Sequence, residues 1–87
     1  MDTYRIEWKR SATKELRSLP THMIQRIVGA VTQLATNPVP LGVRKLSGVQ
    51  HTYRIREGDY RVIYTVTAST LIVEIIRVGH RKEVYDP

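Results

Sequence analysis

The chain has 87 residues, of which 41% are hydrophobic and 25% charged, the composition of one small globular domain. It contains no cysteine, which excludes disulfides, thiolate catalysis and cysteine zinc sites. The net charge of +6 indicates a polyanionic partner such as RNA, DNA or the ribosome, although many small basic proteins bind no nucleic acid. No apolar run approaches the ~20 residues that span a membrane. The segment MDTYRIEWKR has no signal-peptide core, so a cytoplasmic location is expected.

The first residues predict a strand followed by a short helix. Apolar residues alternate with charged ones, which is the pattern of a half-buried strand, at Tyr4, Ile6 and Trp8. Ser11 is the expected N-cap of the helix, because a serine hydroxyl can accept a hydrogen bond from the first turn. The apolar stripe of this helix repeats at helical spacing through Ala12, Leu16 and Leu19.

A second helix is predicted after this stripe, and Pro20 suits its first turn because proline lacks the N–H that would be unsatisfied there. The apolar positions have the period of an amphipathic helix, at Ile24, Ile27, Val28, Val31, Leu34 and Ala35. Asn37-Pro38 is expected to end the helix. Residues 38–48 are then predicted to form a loop that carries the basic pair Arg44-Lys45.

From Thr52 the period becomes 2 and predicts three successive strands at residues 52–57, 60–67 and 71–78. Gly58-Asp59 and Ala68-Ser69 are the expected turns. The last strand, LIVEIIRV, is apolar on both faces and is therefore expected inside the sheet. The predicted fold is α+β, with the order β-α-α-β-β-β. Two helices pack on a small, mainly antiparallel, four-stranded sheet in one domain spanning residues 1–87.

The turn at Gly58-Asp59 also predicts the register of its hairpin. A two-residue loop places Glu57 opposite Tyr60, Arg56 opposite Arg61, Ile55 opposite Val62 and Tyr53 opposite Tyr64. Directly opposed residues share a face of the sheet. The apolar pairs are then expected to face the helices, and the other face is expected to carry Arg54, Arg56 and Arg61.

Like charges placed directly across a hairpin destabilise it. For any single arginine, a solvated outer face is the simpler interpretation. Three convergent arginines favour an anion-binding site instead. Salt bridges from Glu57, Asp59 or Glu74 are the alternative means of reducing the repulsion.

Two C-terminal segments resemble a known family. TYRIREGDYRVIYTV, followed by IIRVGHRKEVYDP, resembles the RelE branch of the RelE/ParE toxin superfamily. The two predicted helices with LP between them agree in order and length, so the resemblance covers essentially the whole chain. It implies a toxin that cuts mRNA in the ribosomal A site, without metal or other cofactor. It also implies a RelB-like antitoxin that holds the toxin inactive, in a complex that can bind operator DNA.

The resemblance also assigns candidate site residues. Arg54 and Arg56 fall where the family has basic residues in the second strand, and the lysines of other members are arginines here. Arg61 and Arg81 match the family's phosphate-contacting arginines, and Tyr85 matches its C-terminal tyrosine. His80 occupies a position that is basic in some members and histidine in others. The further basic residues expected to contact RNA are Arg44 and Lys45.

Metal-free RNA cleavage proceeds by attack of the 2′-OH on the adjacent phosphate. Arginine stabilises the developing charge well but is a poor base. Arg61 and Arg81 are therefore expected to bind the non-bridging oxygens, and Arg54 and Arg56 to hold the backbone. Histidine titrates near neutrality, so His80 is the candidate general acid or base; the alternative is a surface histidine that only binds RNA.

Other interpretations remain open for the tail and for the whole protein. Tyr85 is a candidate to stack on a base, or else packs against the sheet. A ParE-like toxin, which inhibits DNA gyrase by binding, is the second function; an inactive binding homologue is the third. The arginine–tyrosine set favours the RelE branch. The widely spaced His22, His51 and His80 lack close ligand partners, so no metal site is expected.

Overall fold

The computed structural model describes residues 3–46, 48 and 50–82. Its elements are β1 (Arg5–Trp8), α1 (Arg10–Arg17), α2 (Thr21–Gln33), β2 (Arg44–Lys45), β3 (Thr52–Glu57), β4 (Tyr60–Thr67) and β5 (Ile72–His80). The strands form one sheet in the order β1-β5-β4-β3-β2. β1 runs parallel to β5, and the other neighbouring pairs are antiparallel. The predicted α+β architecture is confirmed, as is the interior position of β5.

The sheet has five strands rather than the predicted four. The additional strand, β2, lies within the segment predicted as a loop and is two residues long. Arg44 pairs with Arg54, and Lys45 pairs with Tyr53. A strand this short shows no alternation in sequence, and it exists because β3 offers it hydrogen-bonding partners.

The predicted N-cap of α1 was wrong. The cap is Lys9, which has an extended backbone and makes no side-chain capping bond, and Ser11 lies within the first turn. The Lys9 N–H donates to the carbonyl of Ile75 at 3.0 Å. This bond extends the pairing of β1 with β5 by one residue, so the helix begins directly after the strand.

α2 buries a face slightly different from the predicted one. Its buried side chains are Met23, Ile27 and Val31, whereas Val28 is 39% exposed. The helix begins after Pro20, whose carbonyl accepts the N–H groups of Met23 and Ile24. Met23 therefore lies on the buried face. In the described residues neither helix has the length and apolarity needed to cross a membrane.

The main core lies between the helices and one face of the sheet. The helices contribute their buried residues, and β4 and β5 contribute Val62, Tyr64, Val66, Val73, Ile75 and Val78. A second, smaller cluster is formed by Leu46, Ile63 and Ile76. Ile63 lies directly opposite Arg54 in the register. Apolar contacts thus form on both faces of the sheet, which explains why β5 is apolar on both sides.

Tyr64 connects this core to the segment that follows α2. Its side chain is fully buried, and its ring stacks on Tyr53 with 5.8 Å between centroids. The hydroxyl donates to the carbonyl of Pro38 at 2.7 Å. Burial, with a further contribution from Tyr53, raises the pKa of Tyr64 well above its ordinary value, so the hydroxyl remains a donor.

Tyr64→Phe should lower the free energy of unfolding by about 1–3 kcal/mol, because the Pro38 carbonyl loses its partner in a partly buried place. Urea denaturation followed by circular dichroism measures this change. Tyr53→Phe, which retains the stacked rings, is the control and should change stability less. Equal stability of Tyr64→Phe and the unsubstituted protein would show that the bond to Pro38 contributes nothing.

Candidate active site on the basic hairpin

The β3–β4 hairpin has the predicted register. Glu57 opposes Tyr60 and Arg56 opposes Arg61, with the apolar pairs following as expected. Gly58 has a φ of 60°, a left-handed conformation that glycine adopts without strain and that a two-residue hairpin turn requires. The two like charges at Arg56 and Arg61 therefore share one face of the sheet, next to the turn.

Arg54, two residues before Arg56 on the same face, is buried. Only 6% of its surface is exposed, although the sequence predicted a face carrying accessible arginines. Burial lowers the pKa of Arg54, and the positive charges of Arg56, Arg61 and Arg44 lower it further. Arginine nevertheless keeps its proton at physiological pH. A fixed positive charge is therefore held inside the protein on the arginine face of the hairpin, opposite Ile63.

A small pocket lies at the turn. Its volume is about 90 Å³, and it is lined by Arg56, Gly58, Asp59, Tyr60, Arg61 and Arg81. Drug-sized ligand pockets generally have volumes of roughly 300–1,000 Å³, so this one suits a single anionic group. Three of the predicted site residues, on β3, on β4 and directly after β5, thus line one pocket.

Arg81 reaches the pocket through a backbone contact. Its N–H donates to the carbonyl of Asp59 at 2.9 Å, which fastens the end of β5 to the hairpin turn. Asp59 also lines the pocket and is the only carboxylate among the lining residues described. The pocket therefore combines three guanidinium groups with one exposed acid.

Glu57 does not neutralise this cluster in the way the sequence suggested as an alternative. Its carboxylate oxygen Oε1 accepts the Nε–H of Arg26 at 3.0 Å and lies 2.9 Å from Nη2 of the same residue. The Arg26 guanidinium also lies 3.9 Å from the position that a Cβ would take at Gly58. Arg26 on α2 therefore holds the turn from the helix side. Sequence analysis missed the role of Arg26, because Arg26 and Glu57 are 31 residues apart in the chain and no local pattern connects them.

His80 lies apart from the arginine face. It is paired with Tyr60 across β4 and β5, so its side chain shares the face that packs on the helices. The two rings meet edge to face, with 5.5 Å between centroids. The backbone N–H of Lys82 donates to Nδ1 of His80 at 3.2 Å. A neutral His80 that accepts this bond carries its proton on Nε2.

Three predicted site residues remain, namely Arg44, Lys45 and Tyr85. Arg44, opposite Arg54, lies on the arginine face, whereas Lys45, opposite Tyr53, lies on the other face, because successive strand residues point to opposite sides. Tyr85 lies outside the described residues. Within the ranges described, no group of three or more histidine, aspartate or glutamate residues is placed to hold a metal ion.

Comparison with known proteins identifies the family of this small helix-on-sheet domain, whose hairpin carries the basic pocket. Residues 6–85 match the family described as the ParE toxin of type II toxin-antitoxin system, parDE. The chain belongs to the RelE/ParE superfamily of type II toxin–antitoxin toxins.

Several similar proteins carry the name RelE. Toxin RelE3 of Methanocaldococcus jannaschii is 31% identical over 86 residues, covering 94% of this chain and 96% of the relative. The archaeal RelE–RelB complex of Pyrococcus horikoshii OT3 contains a similar chain with a TM-score of 0.82 and 34% identity, covering 94% of this chain and 99% of that one. A chain of the Mycobacterium tuberculosis RelBE2 toxin–antitoxin complex has a TM-score of 0.79 and 26% identity, covering 91% and 99%.

Proposed function

We propose that this protein is a RelE-type endoribonuclease, which cleaves mRNA in the ribosomal A site by attack of the 2′-OH on the adjacent phosphate. The observation that carries the proposal is the convergence of Arg56, Arg61 and Arg81 on one pocket large enough for a single anionic group. Guanidinium groups held in advance around a phosphate stabilise the charge that develops in the transition state. A toxin that acts only by binding would need no groups that stabilise a transition state.

The arginines have different roles in this proposal. Arg61 and Arg81 bind the non-bridging oxygens, and Arg56 holds the adjoining backbone phosphate. Arg54 is too deeply buried to follow the RNA backbone in the way the sequence suggested. Its charge interacts with those of Arg56 and Arg61, and it strengthens the positive potential of the pocket from a buried position, where a lower dielectric makes a charge more effective.

Among its described lining residues the pocket offers no strong base, so the ribosome is proposed to orient the 2′-OH. Positioning of this kind can contribute ~7–11 kcal/mol in favourable cases. Cleavage should therefore occur on translated mRNA and not on naked RNA. Primer extension on one message, with and without ribosomes, measures this dependence, and Arg61→Ala is the inactive control.

Two outcomes would contradict the proposal. Cleavage of naked RNA at the same sites would remove the role of the ribosome. Inhibition of gyrase supercoiling without RNA cleavage would assign the chain to the ParE branch, whose name the matching family carries.

His80 is proposed to act from the edge of the pocket, because it contacts the ring of Tyr60 and Tyr60 lines the pocket. Its proposed role is that of a hydrogen-bond donor through Nε2, because Nδ1 already accepts the N–H of Lys82. Gln retains a donor near the Nε2 position but cannot exchange a proton. His80→Gln should therefore keep the cleavage rate within a few-fold, whereas His80→Ala should lower it by about 10-fold, the value of one lost hydrogen bond. If both variants fall by ~10²–10⁴, His80 is instead a general acid or base.

The proposed partner is a RelB-like antitoxin. Chains similar to this one occur in RelB–RelE complexes from two archaea and two bacteria. The net charge of +6 is complementary to an acidic partner, which would also associate rapidly by electrostatic attraction. Tyr85 remains a proposed stacking residue on the strength of the sequence resemblance.

A further inference from the structure

The pairing of β5 with β4 contains one irregularity. Ile63 pairs with Arg77, whereas the next residue of β4, Tyr64, pairs with Ile75. Ile76 is therefore an extra residue in β5, and it packs on the same face as Ile63. An extra residue of this kind is a β-bulge. Because side chains alternate along a strand, every residue after the bulge faces the side opposite to the one that a regular strand would give it.

The bulge decides which residues at the end of β5 reach the basic pocket. Before the bulge Ile75 belongs to the core between sheet and helices, and after it Val78 does. Gly79 then lies opposite Arg61, and Arg81, two residues further along, lines the pocket together with Arg61. Without the bulge, the odd-numbered residues would continue to face the helices, so Arg81 would be directed away from the pocket.

The carboxylate of Glu15, on α1, binds the two residues that follow the bulge. Its Oε1 accepts the backbone N–H of Val78 at 2.9 Å, and its Oε2 accepts the Nε–H of Arg77 at 3.0 Å. β1 ends at Trp8, which pairs with Ile75, so none of the described strands lies beside Val78 on that edge of β5. Val78 is only 1% exposed, and a buried N–H without an acceptor is costly. Glu15 thus takes the place of a strand partner.

We propose that Glu15 is a positioning residue for RNA cleavage, which fixes the bulge of β5 and thereby directs Arg81 into the basic pocket. The inference rests on the proposed function for the reaction that Arg81 serves. Glu15 does not line the pocket, so its effect passes along the backbone from Val78 to Arg81. A displacement of about 1 Å can lower a rate by ~10²-fold when reacting groups must be aligned. Loss of Glu15 should therefore lower the rate rather than the affinity.

Four variants of the full chain separate the bonds of Glu15. Glu15→Ala should lower single-turnover cleavage of translated mRNA by about 10–100-fold, with the affinity for programmed ribosomes within a few-fold. Glu15→Gln retains an oxygen that can accept the Val78 N–H, so its rate should stay within a few-fold of the unsubstituted protein. Arg77→Ala removes the ion pair alone and should behave in the same way. The matched control is Glu7→Ala, which removes an equal charge from β1, where Glu7 pairs with Arg5 at 2.9 Å, and should leave the rate unchanged.

Amide hydrogen exchange followed by NMR tests the positioning without the reaction. The N–H of Val66 donates to the carbonyl of His51 in the neighbouring strand pair, and its exchange reports any change in global stability. In Glu15→Ala the amides of Val78 and Arg81 should accelerate about 10-fold more than that of Val66, the equivalent of one net hydrogen bond.

Three results would overturn the positioning role. They are equal acceleration at all three amides, cleavage at the unsubstituted rate in folded Glu15→Ala, and a Glu15→Gln variant as slow as Glu15→Ala. Failure of the unsubstituted protein to cut RNA would overturn the proposed function instead, and the exchange rates would still decide whether Glu15 holds the end of β5.

Discussion

Replacing Arg61 or Arg81 by alanine should lower the single-turnover rate of mRNA cleavage by about 10²–10³, the usual loss for one transition-state donor. The two residues line one pocket from β4 and from the end of β5, and each is proposed to bind a non-bridging oxygen. The affinity for programmed ribosomes should fall much less, because several other basic residues contribute to binding. Rapid-quench cleavage and ribosome sedimentation measure the two quantities separately.

Arg10→Ala is the matched control for these variants. Arg10 is an exposed arginine at the start of α1 and does not line the pocket. Its loss reduces the net charge by the same amount, so it measures the effect of charge alone. An unchanged cleavage rate in a folded Arg61→Ala variant would mean that the cluster is not the catalytic site.

Arg54→Met should lower the rate of mRNA cleavage, because it removes a buried positive charge near the pocket. Arg54 is buried, and it lies close enough to Arg44, Arg56 and Arg61 for their charges to lower its pKa. The same proximity means that Arg54 adds to the positive potential that Arg56 and Arg61 present to a phosphate. The loss should be smaller than the ~10²–10³ expected for Arg61 or Arg81, because Arg54 does not line the pocket.

Arg54→Lys is the matched control, because it keeps a positive charge at the same position and should retain more of the cleavage rate. Circular dichroism shows whether each variant is folded, and rapid-quench cleavage measures the two rates. An unchanged rate in folded Arg54→Met would mean that Arg54 contributes nothing to the potential of the pocket.

Features of the fold that depend on a local sequence pattern, such as the register of a hairpin, are predictable from the sequence. A two-residue turn between alternating strands determines the pairing of Arg56 with Arg61, and the structure confirms this pairing. The burial of Arg54 was not predictable in this way, because it accompanies the pairing of β2 with β3 and the packing of Leu46 on Ile63. Both contacts join residues that are distant in sequence, and β2 is too short to show a period.

Tertiary contacts also explain the other differences. Ser11 has the chemistry of an N-cap, but pairing of Lys9 with Ile75 sets where α1 begins. The position of His80 depends on how far β5 extends: the apolar pattern ends at Val78, whereas the strand continues to His80 and faces Tyr60. For the candidate site, the sequence therefore indicates which residues converge at the turn but not which face His80 occupies.

The parallel pairing of β1 with β5 has a consequence for the order in which the protein assembles. β1 joins the sheet only after β5 has formed, since β5 lies between β1 and the other strands. A hairpin such as β3–β4 is only marginally stable by itself, and contacts between distant segments form late because they must close a long loop. Arg81 follows β5, and its N–H donates to the carbonyl of Asp59 in the turn. A growing chain thus lacks a complete basic pocket until β5 and Arg81 have been synthesised, so the pocket is one of the last features of the fold to form.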